Sequence, residues 1–470
     1  MLCLYISSFL LGAILDLSLA PFHFSIFGFI SFSLFFIILQ KSPSIKCASL
    51  SGFCFGLGYF LFGLYWIINA FIIVYNNHLA IALILGTLSL LILGTFLSIY
   101  WGLASLFTKY INKNIIANFF SFCVTMYIAE YLRGHCFTGF SWNLLSYAAL
   151  PNIYFLQIAH YINIYSLVGV SCAIFTAPGL IIYPILQKAP LPLSNILINL
   201  MALLAILLFY YVGNSRLNSS IEKDSNLKVK LIQPNIEQTK KLNTNYIREN
   251  FFRLINLIKK DNNPSIDIII CPETAIDFFI NNQDGAKYYI QKALYPNQLL
   301  IIGAPRIQDH KIYNSMLVLD HNANIINYSD KKYLVPFGEY LPYKNILRNL
   351  LPKAISDLNT FTAGKEKHTL QIKDKYALGL ICYETNSYNA INYQGHEPNF
   401  IIDITNDAWY GYSTGPFQHF QQDRILTTMT QLPMVRISNN GISAVIDSYG
   451  RIKRKADLNK TANIISFLPN

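Results

Sequence analysis

Across the first 213 residues only eight side chains carry a full charge: Asp16, Lys41, Lys46, Lys109, Lys113, Glu130, Arg133 and Lys188. A water-soluble domain gives roughly a quarter of its residues to Asp, Glu, Lys and Arg, so a chain this poor in charge is not built for water. In lipid the backbone must satisfy its own polar groups, and for long apolar stretches that means helices. About 20 mostly apolar residues cross a bilayer. Seven stretches meet that need, at 2–19, 22–39, 47–70, 79–107, 115–131, 162–186 and 196–212. The first resembles a cleavable signal peptide, but others follow at once, and one cleavage would not free the protein. Pro178 and Pro184 fall within the sixth stretch, where neighbouring helices can cover the freed carbonyls.

Orientation follows from Lys and Arg in the short loops. Lys41 and Lys46 follow the second stretch, Lys109 and Lys113 the fourth, and Lys188 the sixth, against Arg133 and Arg216 after odd-numbered ones. Even loops therefore lie inside, with the N-terminus in the cytoplasm and everything after residue 212 on the other side. The formal net charge of +11 fits attraction to an anionic lipid surface. No basic run is interleaved with aromatics, so nucleic acid is not an expected partner.

Residues 214–226 read as a polar linker, which divides the chain into a helical bundle at 1–213 and a soluble domain at 227–470. In the second part short β-rich runs, at 228–233, 266–271, 299–303, 315–319, 376–382, 400–405 and 442–447, alternate with helical stretches such as 245–260. That alternation predicts an α/β or layered α+β domain. Only Cys271 and Cys382 fall in this half, and no Cys/His spacing suggests zinc. The sequence leaves a Cys271–Cys382 disulfide open, although the surroundings of Cys382 favour a free thiol.

Three segments place a reactive side chain where an apolar strand ends: Ile268-Ile-Ile-Cys-Pro-Glu273, Asp330-Lys-Lys-Tyr-Leu-Val-Pro-Phe-Gly-Glu339 and Gly379-Leu-Ile-Cys-Tyr-Glu384. Strand ends are rigid and share an edge, so such side chains can converge. A thiol needs a base to become a nucleophile at neutral pH. A carboxylate whose proton affinity is raised by burial can serve. A tetrahedral intermediate then needs donors, for which an ammonium and the backbone N–H after the Cys suffice.

These segments resemble the Glu, Lys and Cys motifs of the nitrilase (carbon-nitrogen hydrolase) superfamily. Tyr333-Leu-Val-Pro-Phe-Gly-Glu-Tyr-Leu-Pro342, Asn406-Asp-Ala-Trp-Tyr410 with Gln418-His419, and Val435-Arg-Ile-Ser-Asn-Asn-Gly-Ile-Ser443 resemble the apolipoprotein N-acyltransferases within it. So do Gly63-Leu-Tyr-Trp66 and Arg133-Gly with Gly139-Phe-Ser-Trp142. The resemblance implies an α-helical membrane bundle of about seven spans carrying a nitrilase-like αββα sandwich. It implies Glu273 as general base, Lys331 as oxyanion stabiliser and Cys382 as nucleophile, with Glu339, Glu384 and Tyr383 in support and Trp66, Trp142 and Trp409 binding substrate. The resemblance implies Lys331 rather than Lys332, because the family lysine precedes the Pro-Phe-Gly-Glu glutamate by eight positions, as Lys331 precedes Glu339. The implied activity moves an acyl chain from a phospholipid, through a Cys thioester, to the N-terminal amine of a diacylglyceryl-modified apolipoprotein. No cofactor or metal is implied, and the setting is the bacterial inner membrane with the catalytic domain on the periplasmic side. Family members usually have His at the position of Tyr333 and Trp at that of Leu242. They usually end with one more membrane helix, which a sequence stopping at Asn470 does not contain.

Simpler readings compete with several of these residues. A lone Cys at a strand end is more often core than nucleophile, and it is the company of Glu273 and Lys331 that reverses this for Cys382. Cys271 reads as core, Lys332 as surface and His419 as a structural hydrogen-bonding residue. Trp66, Trp142 and Tyr147 read most economically as an interfacial aromatic belt, although the resemblance also points to a lipid-facing entrance. Asp16, Glu130 and Arg133 are costly in or near a span, and Glu130 and Arg133 have the i, i+3 spacing of a pair. Two rival functions remain: a membrane-tethered amidase or nitrilase, which would release ammonia or free acid, and a non-catalytic lipid-binding or transport protein.

Overall fold

The computed structural model describes residues 1–111, 114–220, 224–341, 361–365 and 368–470. Lys113, Pro342 and residues 221–223 of the expected linker lie outside the described residues. The chain forms two compact units, Met1–Ser220 with Tyr410–Gln421, and Ile221–Trp409 with Gln422–Asn470. The short segment from Tyr410 to Gln421, read from the sequence as part of the soluble half, thus groups with the helices.

The first unit contains α1 (Leu2–Leu15), α2 (Ile26–Lys41), α3 (Ile45–Gly63), α4 (Ile67–Val74), α5 (Leu79–Ile111), α6 (Ile115–His135), α7 (Ile153–Leu156), α8 (Ile164–Leu186) and α9 (Leu193–Ser219). Among the described residues five helices, α3, α5, α6, α8 and α9, are long and apolar enough to cross a membrane. The expected count of seven is therefore approximate. Stretches 2–19 and 22–39 give helices of 14 and 16 residues, which at about 1.5 Å per residue fall short of a hydrocarbon core of about 30 Å. Stretch 47–70 is two helices, because α3 stops at Gly63. A side chain there would run into Asp16 and Asn143, so the chain passes close and turns. The expected linker at 214 is still helix, since α9 continues to Ser219.

Small residues let these helices touch. A Cβ on Gly12 would lie 1.9 Å from the Phe55 carbonyl oxygen, and one on Gly58 2.0 Å from that of Phe9, so α1 and α3 meet backbone to backbone, as small residues allow in membrane bundles. Glu130 and Arg133 do pair, at 2.7 Å and fully buried. The pair also builds a turn. Arg133 donates to the carbonyls of Phe140, Trp142 and Asn143, while Glu130 accepts from the Trp101 indole and the Leu145 N–H. Each charge thus has the hydrogen bonds that a buried ion pair requires.

The second unit opens with β1 (Asp224–Gln233), α10 (Gln238–Lys241), α11 (Ile247–Lys259), β2 (Ile268–Ile270) and α12 (Asp284–Gln291). There follow β3 (Leu299–Gln308), β4 (Lys311–Leu319), β5 (Ile325–Asp330), β6 (Leu370–Ile372), β7 (Lys375–Ile381) and β8 (Phe400–Thr405). After α13 (Gly415–Thr430), which belongs to this unit from Gln422 onward, come β9 (Met434–Ser438), β10 (Ser443–Ile446), β11 (Ile452–Ala456) and β12 (Ala462–Pro469). They form two six-stranded sheets, ordered β12-β1-β2-β3-β4-β5 and β11-β10-β9-β8-β7-β6. Strand alternation explains both layers of core. Ile268 and Ile270 join Val229, Leu231, Ile381, Ile402 and Ile404 in one cluster drawn from both sheets. Ile269, between them, belongs to another, with Phe251, Leu254, Ile255 and Ile258 of α11. The apolar run of β2 therefore has a partner on each face, which is what a buried parallel strand needs. Cys271 is buried core as expected, and no disulfide joins it to Cys382.

Candidate active site

The parallel strands β1, β2 and β3 of one sheet and β7, β8 and β9 of the other set the site, because the chain leaves each bundle of parallel strands on one side. Glu273 follows the end of β2, in a turn fixed to β3 by hydrogen bonds from Ala275 N–H to the Gly303 carbonyl and from Gly303 N–H to that of Pro272. Gly303 is pressed into this turn: a Cβ would lie 2.6 Å from the Glu273 Cα. Gly303→Ala is expected to displace the Glu273 turn, so that reaction rate falls well before the melting temperature does. A full-rate Gly303→Ala variant would show that the turn need not stay in place.

Lys331 leaves the end of β5. Its ammonium lies 3.0 Å from Oε1 of Glu273 and 3.0 Å from Oε1 of Glu339. The Asn314 side-chain amide donates to those same two oxygens, at 2.8 and 3.0 Å, and Val335 N–H donates to the other oxygen of Glu339. Two carboxylates thus share one cation and one amide. Burial alone would lower the pKa of Lys331, but the charges of Glu273 and Glu339 outweigh it and hold the ammonium well above its ordinary value. Lys241 reaches the backbone carbonyl of Glu273 at 3.3 Å, and burial lowers its pKa against the pull of Asp277 and Glu273.

Cys382 follows the end of β7 with φ of 53°, a left-handed conformation that a residue with a Cβ adopts rarely and at a cost. It begins a short 3-10 turn, Cys382–Asn386, and its side chain is almost wholly buried. Burial and the charge of Glu273 push the thiol well above its ordinary pKa, while Lys331 pulls it down. Carboxylate, ammonium and thiol are therefore close enough to feel one another.

Glu384 stands apart from that trio. Its buried carboxylate accepts from the N–H groups of Lys332 and Tyr333 at 2.7 and 3.2 Å, and of Ile381 at 2.9 Å. It fastens the chain leaving β5 to the chain leaving β7, positioning the lysine segment against the cysteine. The ammonium of Lys332 instead lies over the Tyr333 ring, 5.7 Å from its centroid. Tyr383 and Trp409 are half-buried.

Trp66 and Trp142 lie in the helical unit. Both indole N–H groups donate to one oxygen of Gln418, at 3.1 and 2.8 Å, and the two rings are buried with Tyr410 against them. The Asn69 amide donates to the Tyr410 carbonyl at 2.7 Å. His419 packs its ring on Trp142. In this arrangement the two tryptophans hold the Tyr410–Gln421 segment.

Sequence reasoning passed over Asn314, which lies one position before the expected strand 315–319 and whose polar side chain in a strand was the available signal. It also passed over the carboxylate cluster around Arg436. That guanidinium donates to Asp403 at 2.8 Å, to Asp407 at 2.7 Å and to Asp423, and all four residues are fully buried. Burial, followed by the charge of Asp423, raises the pKa of Asp403 well above the carboxylate range, with Arg436 opposing.

Two family models match the chain: apolipoprotein N-acyltransferase N-terminal domain over residues 11–180, and carbon-nitrogen hydrolase over residues 228–466. The apolipoprotein N-acyltransferase of Brucella melitensis is 33% identical, over 99% of this chain and 90% of its own. The chain belongs to the apolipoprotein N-acyltransferase family. Its counterpart from Allorhizobium ampelinum is 34% identical over 94% of this chain and 85% of its own, and that from Rickettsia prowazekii 33% over 98% and 91%. An apolipoprotein N-acyltransferase is an acyltransferase, so this chain is an enzyme. Within the family's architecture the two-sheet unit is the nitrilase-like half and the helices are the half carrying candidate membrane spans.

Proposed function

We propose that the enzyme transfers a fatty acyl chain from a phospholipid to the N-terminal amine of a diacylglyceryl-modified apolipoprotein, through a thioester on Cys382. Residues 227–470 are the catalytic half, on the periplasmic side of a bacterial inner membrane, and residues 1–213 the membrane half. The observation that carries this reading is the shared ion-pair geometry of Glu273, Lys331 and Glu339 within electrostatic reach of a buried thiol held at a left-handed strand end.

The raised pKa of Cys382 fits proton transfer to Glu273 rather than a standing thiolate. Glu273 disfavours the thiolate only while it is ionised. Once it has taken the thiol proton that penalty is gone and the sulfur faces the Lys331 ammonium. The thiolate then attacks the ester carbonyl, and Lys331 with the Tyr383 backbone N–H holds the developing oxyanion. The C–O bond breaks, Glu273 returns its proton to the departing lysophospholipid oxygen, and the acyl group stays on sulfur. In the second half the lipoprotein amine attacks the thioester, its proton passes to Glu273, the C–S bond breaks, and Glu273 reprotonates the sulfur. Trp66, Trp142 and Trp409 are the proposed substrate-binding residues, the first two also holding the Tyr410–Gln421 segment through Gln418.

Intact-mass measurement of the enzyme after incubation with phospholipid alone tests the reading. One acyl group, labile to hydroxylamine, is the expected adduct, and an enzyme that turns over without ever carrying one would overturn it. Lys331→Ala is expected to cut turnover by about 10²–10³-fold, the range for loss of one oxyanion donor. Unimpaired turnover would take Lys331 out of that role.

A further inference from the structure

Strand β7 ends at Ile381, registered with Ile404 of the parallel strand β8, so that Cys382 is the next residue of one chain segment and Thr405 the last of the other strand. Thr405 in turn is registered with Ser438 on β9. The Thr405 side chain is fully buried, and its hydroxyl acts on the neighbouring Cys382 thiol so as to lower its pKa. Its hydroxyl oxygen also lies 3.5 Å from Oδ1 of Asp407. Oδ2 of Asp407 is engaged separately, by Arg436 at 2.7 Å and by the Ser438 hydroxyl at 3.4 Å. The hydroxyl thus has one proton and two acceptors, a sulfur and a fixed carboxylate. A neutral thiol is a weak acceptor and a thiolate a strong one.

We propose that Thr405 is a further catalytic residue, a switchable donor whose proton points to Asp407 while Cys382 is a thiol or thioester and turns to the sulfur when the thiolate forms. The inference rests on the reading of Cys382 as nucleophile. It supplies what Lys331 alone does not, since Lys331 is already divided between two carboxylates. No bond is made or broken at Thr405; only its O–H rotates. The direction of its influence on the thiol agrees, because the hydrogen bond from Thr405 favours the ionised sulfur against burial.

The test is the rate of carbamidomethylation of Cys382 by iodoacetamide, followed by peptide mass spectrometry in the full-length protein between pH 6 and 9. In the native enzyme the rate should climb with pH across the whole range, because the thiol titrates above it. Thr405→Val keeps the shape and removes the donor, and is expected to react about tenfold more slowly at each pH. Thr405→Ser, which keeps the hydroxyl, should stay within about threefold of native. Superimposable profiles for native and Thr405→Val would overturn the inference while leaving the nucleophile in place. Equal losses in Val and Ser variants would also overturn it, by assigning the effect to packing. A native Cys382 that is never alkylated would instead remove the nucleophile reading, and this inference with it.

Discussion

Cys382→Ala enzyme, incubated with phospholipid alone, is expected to carry no acyl adduct and to transfer no acyl chain to a lipoprotein, while folding as the native protein does. The first half of that expectation follows from chemistry. Cys271, the other cysteine of the soluble half, is fully buried core on the opposite sheet, and burial pushes its thiol well above the ordinary range, so it cannot take over. The second half follows from volume and backbone. The sulfur is one atom at the edge of a cluster of some twenty buried residues, and alanine keeps the same left-handed conformation that Cys382 holds at φ 53°. That conformation costs a residue with a Cβ about 1–2 kcal/mol. Cys382→Gly should therefore be equally inactive and yet no less stable than Cys382→Ala, despite the usual penalty for glycine. An acyl adduct that persists on either variant would place the nucleophile elsewhere; a Gly variant much less stable than the Ala one would mean that the turn holds no strain.

What was legible in the sequence were the residues whose chemistry and position are both local. Glu273 and Cys382 follow the apolar strands β2 and β7, where a rule about strand ends applies, whereas Lys331 follows β5, Ile-Ile-Asn-Tyr-Ser-Asp, which is neither apolar nor among the expected strands. Strand Phe400–Thr405 was read with its bounds intact because every residue in it is buried. Illegible were elements held by distant partners. Strand β11, Ile-Lys-Arg-Lys-Ala, is an edge strand whose charges hide it from a search for apolar runs. β12 pairs with β1 across more than two hundred residues of chain. Trp66 and Trp142 carry the composition of an aromatic belt, and nothing near them in sequence announces that their indoles are fixed by Gln418, 352 and 276 residues away. Asn314 and Thr405 are uncharged residues of ordinary strands, and their roles appear only when the neighbouring strands are in place. The shortfall in α1 and α2 has a similar origin: hydropathy sees the apolar residues up to 19 and 39 but not where the helical turns begin and end.

Arg436→Met should be the most destabilising substitution in the two-sheet unit, and more so in base than in acid. The guanidinium is the shared cation of Asp403, Asp407 and Asp423, none of which touches water. Breaking a buried ion pair by removing one partner costs about 3–5 kcal/mol, and here three carboxylates lose their common cation. For a unit of this size that corresponds to a fall in melting temperature on the order of 10 °C. The pH dependence follows from Asp403, whose pKa in the folded protein is already raised by burial and by Asp423. Between its unfolded pKa of about 4 and that raised value the folded state holds a proton that the unfolded state has released. Its contribution to stability is thus fully present below about pH 4 and is lost as pH rises through the folded value. Without Arg436, Asp403 loses the charge that opposes its upward shift, so the loss extends to higher pH and grows. Thermal melts of native and Arg436→Met protein at pH 5 and pH 8 separate this from simple packing. The deficit should be smaller at pH 5. An equal deficit at both would mean that Asp403 does not depend on Arg436 for its charge state, and that the arginine holds the strand ends together by shape alone.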